Sequence, residues 1–300
     1  MLYLLLSIAA MAALALVLRA AMAAGAHALG INLVFRTTAA LSAAVTAVLV
    51  LDAEDVAVWP AVAVPGAAGA VLFFLAGLGS IKAVQLGHLG LSWGVLRCSM
   101  LLPVAASIVV WNEVPLWPVS SLLLARVAGM ATACAAIAMV ARGQMRGGPG
   151  AAAPGGGSVR TWLLWLGLAF VAQGGWEIVL RSTRQLPDDR ARVLFVAGAF
   201  LGTAVLSGAT ARTLRARLGR RELAYGSAAG LLGVLASGTR VWALRDLDGV
   251  IVFPVTTVTV MVLVQVAGSL AWQERTPGWS RAGFAAALLS VLLLSLPVRL

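Results

Sequence analysis

Residues 79–113 read GSIKAVQLGHLGLSWGVLRCSMLLPVAASIVVWNE, and residues 238–274 follow the same pattern as GTRVWALRDLDGVIVFPVTTVTVMVLVQVAGSLAWQE. In both, Gly with Ser or Thr opens the stretch, a glycine stands 11 residues later, and Trp-Asn-Glu or Trp-Gln-Glu ends an apolar run. The opening glycines lie 159 residues apart and the closing tripeptides 161 apart. A third match, Val17-Leu18-Arg19 with Val179-Leu180-Arg181, lies 162 apart. Three matches that agree to within three residues indicate an internal duplication.

The composition places the chain in a membrane. Apolar residues make up 61% of the 300 residues, charged residues make up 11%, and the mean hydropathy is +0.97. A water-soluble globule of this length does not carry such a composition. Lipid cannot satisfy exposed backbone groups, so long apolar runs without alternation predict helices. We therefore predict an all-α, multi-pass protein of the cytoplasmic membrane, with the lipid bilayer as a partner.

Ten apolar runs are long enough to cross the hydrocarbon core of a bilayer, which takes roughly 20 residues of helix. They are residues 2–18, 33–51, 65–84, 90–111, 118–141, 161–180, 192–210, 223–243, 249–271 and 278–296. Each repeat then holds five spans, an odd number, so the two repeats must cross the membrane in opposite orientations. The prediction is ten transmembrane helices in two inverted five-helix repeats, residues 1–141 and 161–300, joined by a flexible Gly/Pro/Ala linker, residues 142–160.

Glycine and proline mark particular spans. Pro103 and Pro254 lie within the fourth and ninth spans, where the missing backbone N–H favours a kink. Clustered glycines in the third and eighth spans predict close approach between helices. These glycines are Gly66, Gly69, Gly77, Gly79, Gly226, Gly230, Gly233 and Gly238.

The formal charge of +11 would indicate nucleic-acid binding in a soluble protein. Here the arginines crowd the short connections between apolar runs, where basic residues act as topology signals, so no nucleic-acid partner is expected. Basic residues are more numerous in the connections after the odd-numbered spans. This count includes Arg19, and Arg36 at the start of the second span. The positive-inside rule places that face in the cytoplasm and both termini outside.

Motifs of nucleotide-driven and metal-dependent chemistry are absent from the sequence. No Gly-Lys precedes Ser or Thr as a phosphate loop requires, and no HExxH occurs. Cys98 and Cys134 lie in apolar runs without CxxC spacing or a neighbouring His, which predicts packing residues. We expect no enzyme activity, no cofactor and no bound metal.

Two pairs of residues connect the chain to a known family. Pro103 with Glu113, and Pro254 with Glu274, place a proline in the fourth and ninth spans and a glutamate where each passes to the next span. In this order and duplication the chain resembles the EamA-type members of the drug/metabolite transporter superfamily over essentially its whole length. Two further marks are similar to the family's glycine early in the last span and its Arg-x-x-Ala-Ala at the second span. They are Gly283, and Arg36 with Ala39 and Ala40.

The resemblance implies ten helices in two inverted five-helix halves, a central substrate cavity and transport without ATP. It also implies termini in the cytoplasm, opposite to the side that the basic residues favour. A glutamate at a helix junction can also cap the N-terminus of the next helix. Helix capping is therefore a structural alternative to the family role of Glu113 and Glu274.

Charged residues inside spans are costly in hydrocarbon and are candidates for function. Glu177 and Arg126 lie at similar depth in the sixth and fifth spans, which allows an ion pair, and Arg97 in the fourth could extend to the interface. The functional interpretation of Glu177 is a carboxylate that binds a proton or recognises a cation. The structural interpretation is an ion-pair partner of Arg126 or an interfacial group. The other candidates for the substrate cavity are Arg36, Trp93, Gln173, Trp176, Pro254 and Gln265.

These patterns predict a secondary active transporter that exports small metabolites, amino-acid-like compounds or drugs by alternating access. Protons are the candidate coupling ion, on the strength of Glu177 alone. Two alternatives stay open: a flippase for a lipid carrier or lipid headgroup, and a membrane scaffold that transports nothing. Because two fused halves remove the need for a dimer, a monomer is expected.

Overall fold

The computed structural model describes residues 1–52, 59–86, 89–113, 121–147, 159–213, 218–271 and 278–294. Within these ranges the chain is helical and has no strand, which confirms the predicted all-α class. A short 3-10 turn, Thr183–Gln185, follows the seventh α helix. The α helices are α1 (Leu2–Ala23), α2 (Ala28–Val50), α3 (Trp59–Leu86), α4 (Leu89–Cys98), α5 (Leu101–Val109), α6 (Ser121–Gly147), α7 (Val159–Ser182), α8 (Asp189–Thr213), α9 (Arg220–Asp246), α10 (Gly249–Ala271) and α11 (Gly278–Leu294).

Seven helical segments in the described part of the chain are long and apolar enough to cross a membrane. They are Leu2–Ala23, Ala28–Val50, Trp59–Ala83, Arg160–Gln185, Asp189–Thr213, Arg220–Asp246 and Gly249–Gly268. Two apolar segments, Val95–Val109 and Leu124–Met139, are shorter. Such helices suit a multi-pass membrane protein. Each of the ten predicted spans overlaps a helix, whereas ten crossings in two inverted repeats stay a prediction.

The fourth predicted span is interrupted near its proline, as expected. Helix α4 ends at Cys98 and α5 begins at Leu101, and Pro103 has no N–H with which to continue the ladder of α4. The backbone N–H of Leu102 donates instead to the Ser99 carbonyl at 3.1 Å, in the tighter i to i+3 pattern. Helix α10, in contrast, continues through Pro254.

The helices form two compact units, each made of segments from both predicted repeats. The first unit is Met1–Gly77 with Val179–Asp246, and the second is Leu78–Ile178 with Leu247–Leu300. The unit boundaries therefore pass through α3 and α7. The predicted linker begins inside α6 and ends inside α7, and its centre, residues 148–158, lies outside the described residues.

In the first unit, α9 packs on α1 and α2, and α2 also packs on α8. A side chain at Gly230 of α9 would place its Cβ 2.8 Å from the carbonyl oxygen of Phe35 and 3.0 Å from the backbone nitrogen of Ala39, both on α2. At Gly226, one turn earlier, the Cβ would lie 2.6 Å from the Cβ of Val34. The predicted close approach at the eighth-span glycines is confirmed at these positions.

In the second unit, α6 packs on α11 and α4, and α10 packs on α5 and α11. The Ser290 hydroxyl on α11 donates to the Gly129 carbonyl on α6 at 2.8 Å. Gly79 brings α3 against α7, because a Cβ there would lie 3.2 Å from the Cα of Ala169. The buried core of α6, α10 and α11, together with the residue just before α5, consists of Met100, Ala133, Ala136, Ile137, Val258 and Ala287.

The two cysteines pack against this core, as predicted, and their thiols interact with each other. We expect mild oxidation with copper phenanthroline to join Cys98 on α4 to Cys134 on α6, because a disulfide requires facing side chains. The chain has two cysteines, so no third thiol competes. Maleimide labelling after denaturation measures the loss of both thiols, with Cys98→Ser as the control. Full labelling of both thiols after oxidation would contradict the packing of α4 on α6.

Candidate functional site

Eight of the nine predicted cavity residues lie in the second unit, and Arg36 lies in the first. The side chain of Trp93 lies outside what the structure describes, although its backbone belongs to α4. The eight are Trp93 and Arg97 on α4, Arg126 on α6, Gln173, Trp176 and Glu177 on α7, and Pro254 and Gln265 on α10.

Two polar residues of α7 form a hydrogen-bonded pair on one helix face, with Gln173 partly buried and Glu177 buried. Gln173 and Glu177 are four residues apart, and the Gln173 Nε2 donates to the Glu177 Oε1 at 3.3 Å. Glu177 is 8% exposed and the neighbouring Trp176 is 3% exposed. Between them, Gly174 brings α7 against α5, because a Cβ there would lie 2.7 Å from the Cβ of Leu102. The carboxylate is thus held inside the protein, next to a tight helix contact.

Arg126 on α6 is also buried, with 2% of its surface exposed. Its Nε has no hydrogen-bond partner in the described part of the chain. The ion pair between Arg126 and Glu177 stays a prediction. The second unit therefore holds a buried carboxylate on α7 and a buried guanidinium on α6.

The interpretation of Arg36 as a topology signal is wrong. Helix α2 begins at Ala28, five residues before the predicted span, so Arg36 is its ninth residue and is 3% exposed. Averaged hydropathy predicts too late a start for this span, because Asn32 and Arg36 lower the mean hydropathy of the first turns of α2. A buried guanidinium contributes nothing to the charge of a connection between helices.

The guanidinium of Arg36 is enclosed by α2 and α3. Its Cζ lies 3.6 Å from the ring centroid of Phe73 and 4.8 Å from that of Phe35. The Nε donates to the Asn32 Oδ1 at 3.4 Å, and the Nη2 donates to the Phe73 carbonyl at 3.3 Å. A Cβ at Gly77 would lie 2.6 Å from the Nη2, so a larger residue there would displace the end of the Arg36 side chain.

No carboxylate contacts this guanidinium among the described residues, and the Nη1 has no hydrogen-bond partner there. Taking a cation out of water costs several kcal/mol even after relaxation. Two aromatic rings, at up to about 2 kcal/mol each when desolvated, and two neutral acceptors stabilise Arg36. Buried charges are as a rule paired with an opposite charge. Arg36 is therefore a buried cation for which the described residues provide no counter-charge.

Arg192, another buried arginine of the first unit, has such a partner. The Arg192 Nη1 lies 2.9 Å from the Asp189 Oδ1, and the Nη2 donates to the Leu186 carbonyl. Asp189 also pairs with Arg245 at 3.1 Å. These interactions connect the start of α8 with the end of α9, so their role is structural.

A small cavity of about 180 Å³ lies in the first unit between α2, α8 and α9. The hydroxyls of Thr46 and Thr239 donate to carbonyls of their own helices, so the cavity offers few free polar groups. Ligand pockets usually enclose about 300–1,000 Å³. The lining residues are Ala43, Thr46, Val193, Val196, Val234, Leu235, Gly238, Thr239 and Trp242, and Arg36 is not one of them.

Glu113 caps a helix, as the structural interpretation predicts, but that helix is α10 and not the next one in the chain. Its Oε2 accepts a hydrogen bond from the backbone N–H of Val250 at 3.0 Å, in the first turn of α10. The cap joins residues 137 positions apart and stays within the second unit. Glu274, its counterpart, lies outside the described residues.

One pattern that sequence reasoning missed is Gly90-Leu91-Ser92-Trp93-Gly94, which has the letters GxSxG. A nucleophile elbow places this serine on a sharp turn between a strand and a helix. Here Ser92 is buried within α4, donates to the Ala83 carbonyl and accepts from the Trp162 Nε1 at 3.1 Å. The pattern therefore serves helix packing. In the described ranges no group of three or more His, Cys, Asp or Glu side chains could hold a metal ion.

No family model and no curated protein matches this sequence. Among solved structures, 26 chains match. One crystal structure of a protein covers 98% of this chain, and 96% of that chain is covered, with a TM-score of 0.71 at 18% identity. At this identity the likeness concerns the fold alone, which this chain shares over nearly its full length with an experimentally determined structure.

Proposed function

We propose that this protein is a secondary active transporter of small molecules, built from ten membrane-spanning helices in two inverted repeats. The first repeat consists of α1, α2, α3, α4 with α5, and α6, and the second consists of α7 to α11. Transport proceeds by alternating access and draws on gradients, since the sequence has no phosphate loop. The substrates are small metabolites, amino-acid-like compounds or drugs, moved outward across the cytoplasmic membrane.

The observation that carries the proposal is a pair of similar glycine contacts, made by two glycines that are 164 positions apart. Gly230 of α9 lies over the carbonyl of Phe35 and the N–H of Ala39 on α2. Gly66 of α3 lies over the carbonyl of Phe195 and the N–H of Ala199 on α8, with Cβ distances of 3.9 and 4.0 Å. Phe35 and Phe195, like Ala39 and Ala199, are 160 positions apart, within the range of the sequence offsets. In both repeats the third helix contacts the same two positions on the second helix of the other repeat.

A second pair of contacts joins first helices to third helices. Ala169 of α7 contacts Gly79 of α3, and Ser7 of α1 donates to the Ala236 carbonyl of α9, two residues before Gly238. Ser7 and Ala169 are 162 positions apart, and the two glycines are 159 apart. Equivalent helices also contact each other, as α2 with α8, α5 with α10 and α6 with α11. A twofold relation produces such reciprocal contacts, because residue i meets j wherever j meets i.

Inverted repeats of this kind allow two related states that open to opposite sides of the membrane. The buried polar groups are the candidates for substrate and ion recognition, since polar side chains within spans otherwise destabilise the protein. We assign proton exchange to Glu177, the buried acid that Gln173 contacts on α7. A carboxyl group can bind a proton or a substrate cation in turn, and this competition couples the two fluxes.

Counterflow in proteoliposomes tests the proposal. Ligands are first selected by thermal shift of the purified protein against amino acids, small metabolites and drug-like cations. We expect at least one of them to enter protein-containing vesicles without nucleotide, and excess unlabelled compound inside to accelerate that uptake. Protein-free vesicles are the control. No thermal shift and no flux for the whole panel would favour a scaffold. Movement of labelled phospholipid to the outer leaflet, where dithionite can reach the label, would favour a flippase.

A further inference from the structure

We propose that the guanidinium of Arg36 binds the anionic group of the transported molecule, so that the substrate carries a carboxylate or a phosphate. This inference rests on the proposed function and deepens it, because it assigns a substrate class to the carrier.

The aromatic contacts leave the hydrogen-bonding edges of the guanidinium available. Phe73 and Phe35 interact with the cation through their ring faces, at 3.6 and 4.8 Å from the Cζ. Such contacts are electrostatic and use none of the five N–H donors. Hydrogen bonding at Arg36 therefore depends on what lies around the plane of the group.

Two parts of that edge have neutral acceptors, and the third has none. The Nε reaches the Asn32 side chain, and the Nη2 reaches the Phe73 carbonyl. The Nη1 is buried and has no acceptor among the described residues. A carboxylate or phosphate oxygen matches this vacant edge in charge and in planar geometry.

Arg192 shows what the same unit does with an arginine that has a structural role. It is nearly as buried as Arg36, at 6% against 3% exposed, yet its Nη1 lies 2.9 Å from the Asp189 carboxylate. The fold supplies a counter-charge to Arg192 and none to Arg36 from the described residues. We assign to the substrate the negative charge that the described residues do not give Arg36.

The Nη1 is buried, so an anion reaches it when the helices around it separate. Alternating access includes steps of this kind. Gly77 sets the available space on α3, because any larger residue there would collide with the Nη2. Gly77→Val is therefore a variant that keeps the charge and displaces the guanidinium.

The first experiment compares melting temperatures of detergent-purified variants in chloride buffer. We expect Arg36→Met to melt at a higher temperature than the unsubstituted protein, because it removes a buried cation to which the described residues give no counter-charge. Arg192→Met is the matched control and is expected to melt lower, because it breaks an ion pair. A purely structural role for Arg36 gives the opposite result, a lower melting temperature for Arg36→Met, and would overturn the proposal.

The second experiment measures anion binding by thermal shift with sodium phosphate or sodium acetate, against chloride at equal ionic strength. We expect a rise in melting temperature that Arg192→Met retains and Arg36→Met loses. Arg36→Lys and Gly77→Val are expected to bind about tenfold more weakly, since a charged hydrogen bond is lost or displaced. Equal stabilisation of Arg36→Met, or none of the unsubstituted protein by any probe, would refute the anion site.

A third set of samples identifies the source of the anion. Micelles that contain phosphatidylglycerol are compared with micelles of uncharged detergent. Stabilisation by this lipid alone, lost in Arg36→Met, assigns the site to a lipid headgroup, and stabilisation by free phosphate or acetate assigns it to a soluble substrate. Binding is measured without transport. Flux without an Arg36-dependent anion effect would refute this inference alone, and binding at Arg36 without flux would refute the proposed function.

Discussion

Replacing Gly230 with leucine is expected to prevent the first unit from forming. The Cβ alone would lie 2.7 Å from the Cβ of Thr38 and 2.8 Å from the Phe35 carbonyl oxygen. Backbone atoms of a packed helix cannot move aside as the end of a flexible side chain can, so even Gly230→Ala should destabilise by about 1–3 kcal/mol. The measurements are the yield of monodisperse protein in detergent and its melting temperature.

Gly208 on α8 is the matched control, since it belongs to the same unit and a Cβ there meets no atom within 4 Å. We expect Gly208→Ala to raise helix stability by up to about 1 kcal/mol and Gly208→Leu to remain folded. Equal tolerance of leucine at Gly230 and Gly208 would show that α9 does not lie on the backbone of α2. Equal intolerance would point to a general effect of larger residues.

Replacing Glu177 with glutamine is expected to abolish the pH dependence of substrate flux. Glutamine has nearly the same shape and retains an oxygen that can accept the hydrogen bond from the Gln173 Nε2, but it cannot release a proton. We expect flux driven by a pH gradient to fall by about tenfold or more, where tenfold corresponds to about 1.4 kcal/mol of coupling. Exchange of labelled for unlabelled substrate without a pH gradient should persist. Proteoliposomes with an imposed gradient provide the measurement.

Glu222→Gln controls for the loss of a glutamate. Glu222 accepts a hydrogen bond from the backbone N–H of His27 at the exposed start of α9, and glutamine preserves that bond. The variant should keep the full pH dependence. If Glu177→Gln also kept it, Glu177 would have no part in coupling and the proton hypothesis would fail, while counterflow would still decide whether the protein transports.

Sequence periodicity and duplication could predict where the helices lie, because those signals are local. The pattern that begins at Gly79 and Gly238 located helices in both halves, and the clustered glycines marked surfaces such as Gly226 and Gly230 that lie close to another helix. Neither signal identifies which helix such a glycine contacts. That depends on tertiary contacts, and Gly230 contacts Phe35 nearly 200 residues away.

Sequence periodicity and duplication do not predict the environment of charged residues. Arg36 lowers the local hydropathy, which predicts a position at the edge of its span, whereas Phe73, 37 residues away, covers it. The capping of α10 by Glu113 spans 137 residues and bypasses the next helix in the chain. A window of some 20 residues holds no information on such partners, so burial of a charge can be proposed from sequence but its neighbours cannot.

The division of each compact unit between two distant segments has a consequence for biosynthesis. The first unit is incomplete until Asp246 has been made, and the second requires residues beyond Leu247. Ser7 enters the bilayer 229 residues ahead of the carbonyl that accepts its hydrogen bond, which at about 5–20 residues per second is a delay of roughly ten seconds or more. During that time the early helices stand in lipid with their partners untranslated. A ribosome that stalls in the linker would therefore leave a nascent chain with neither unit assembled, open to membrane proteases and holdase chaperones.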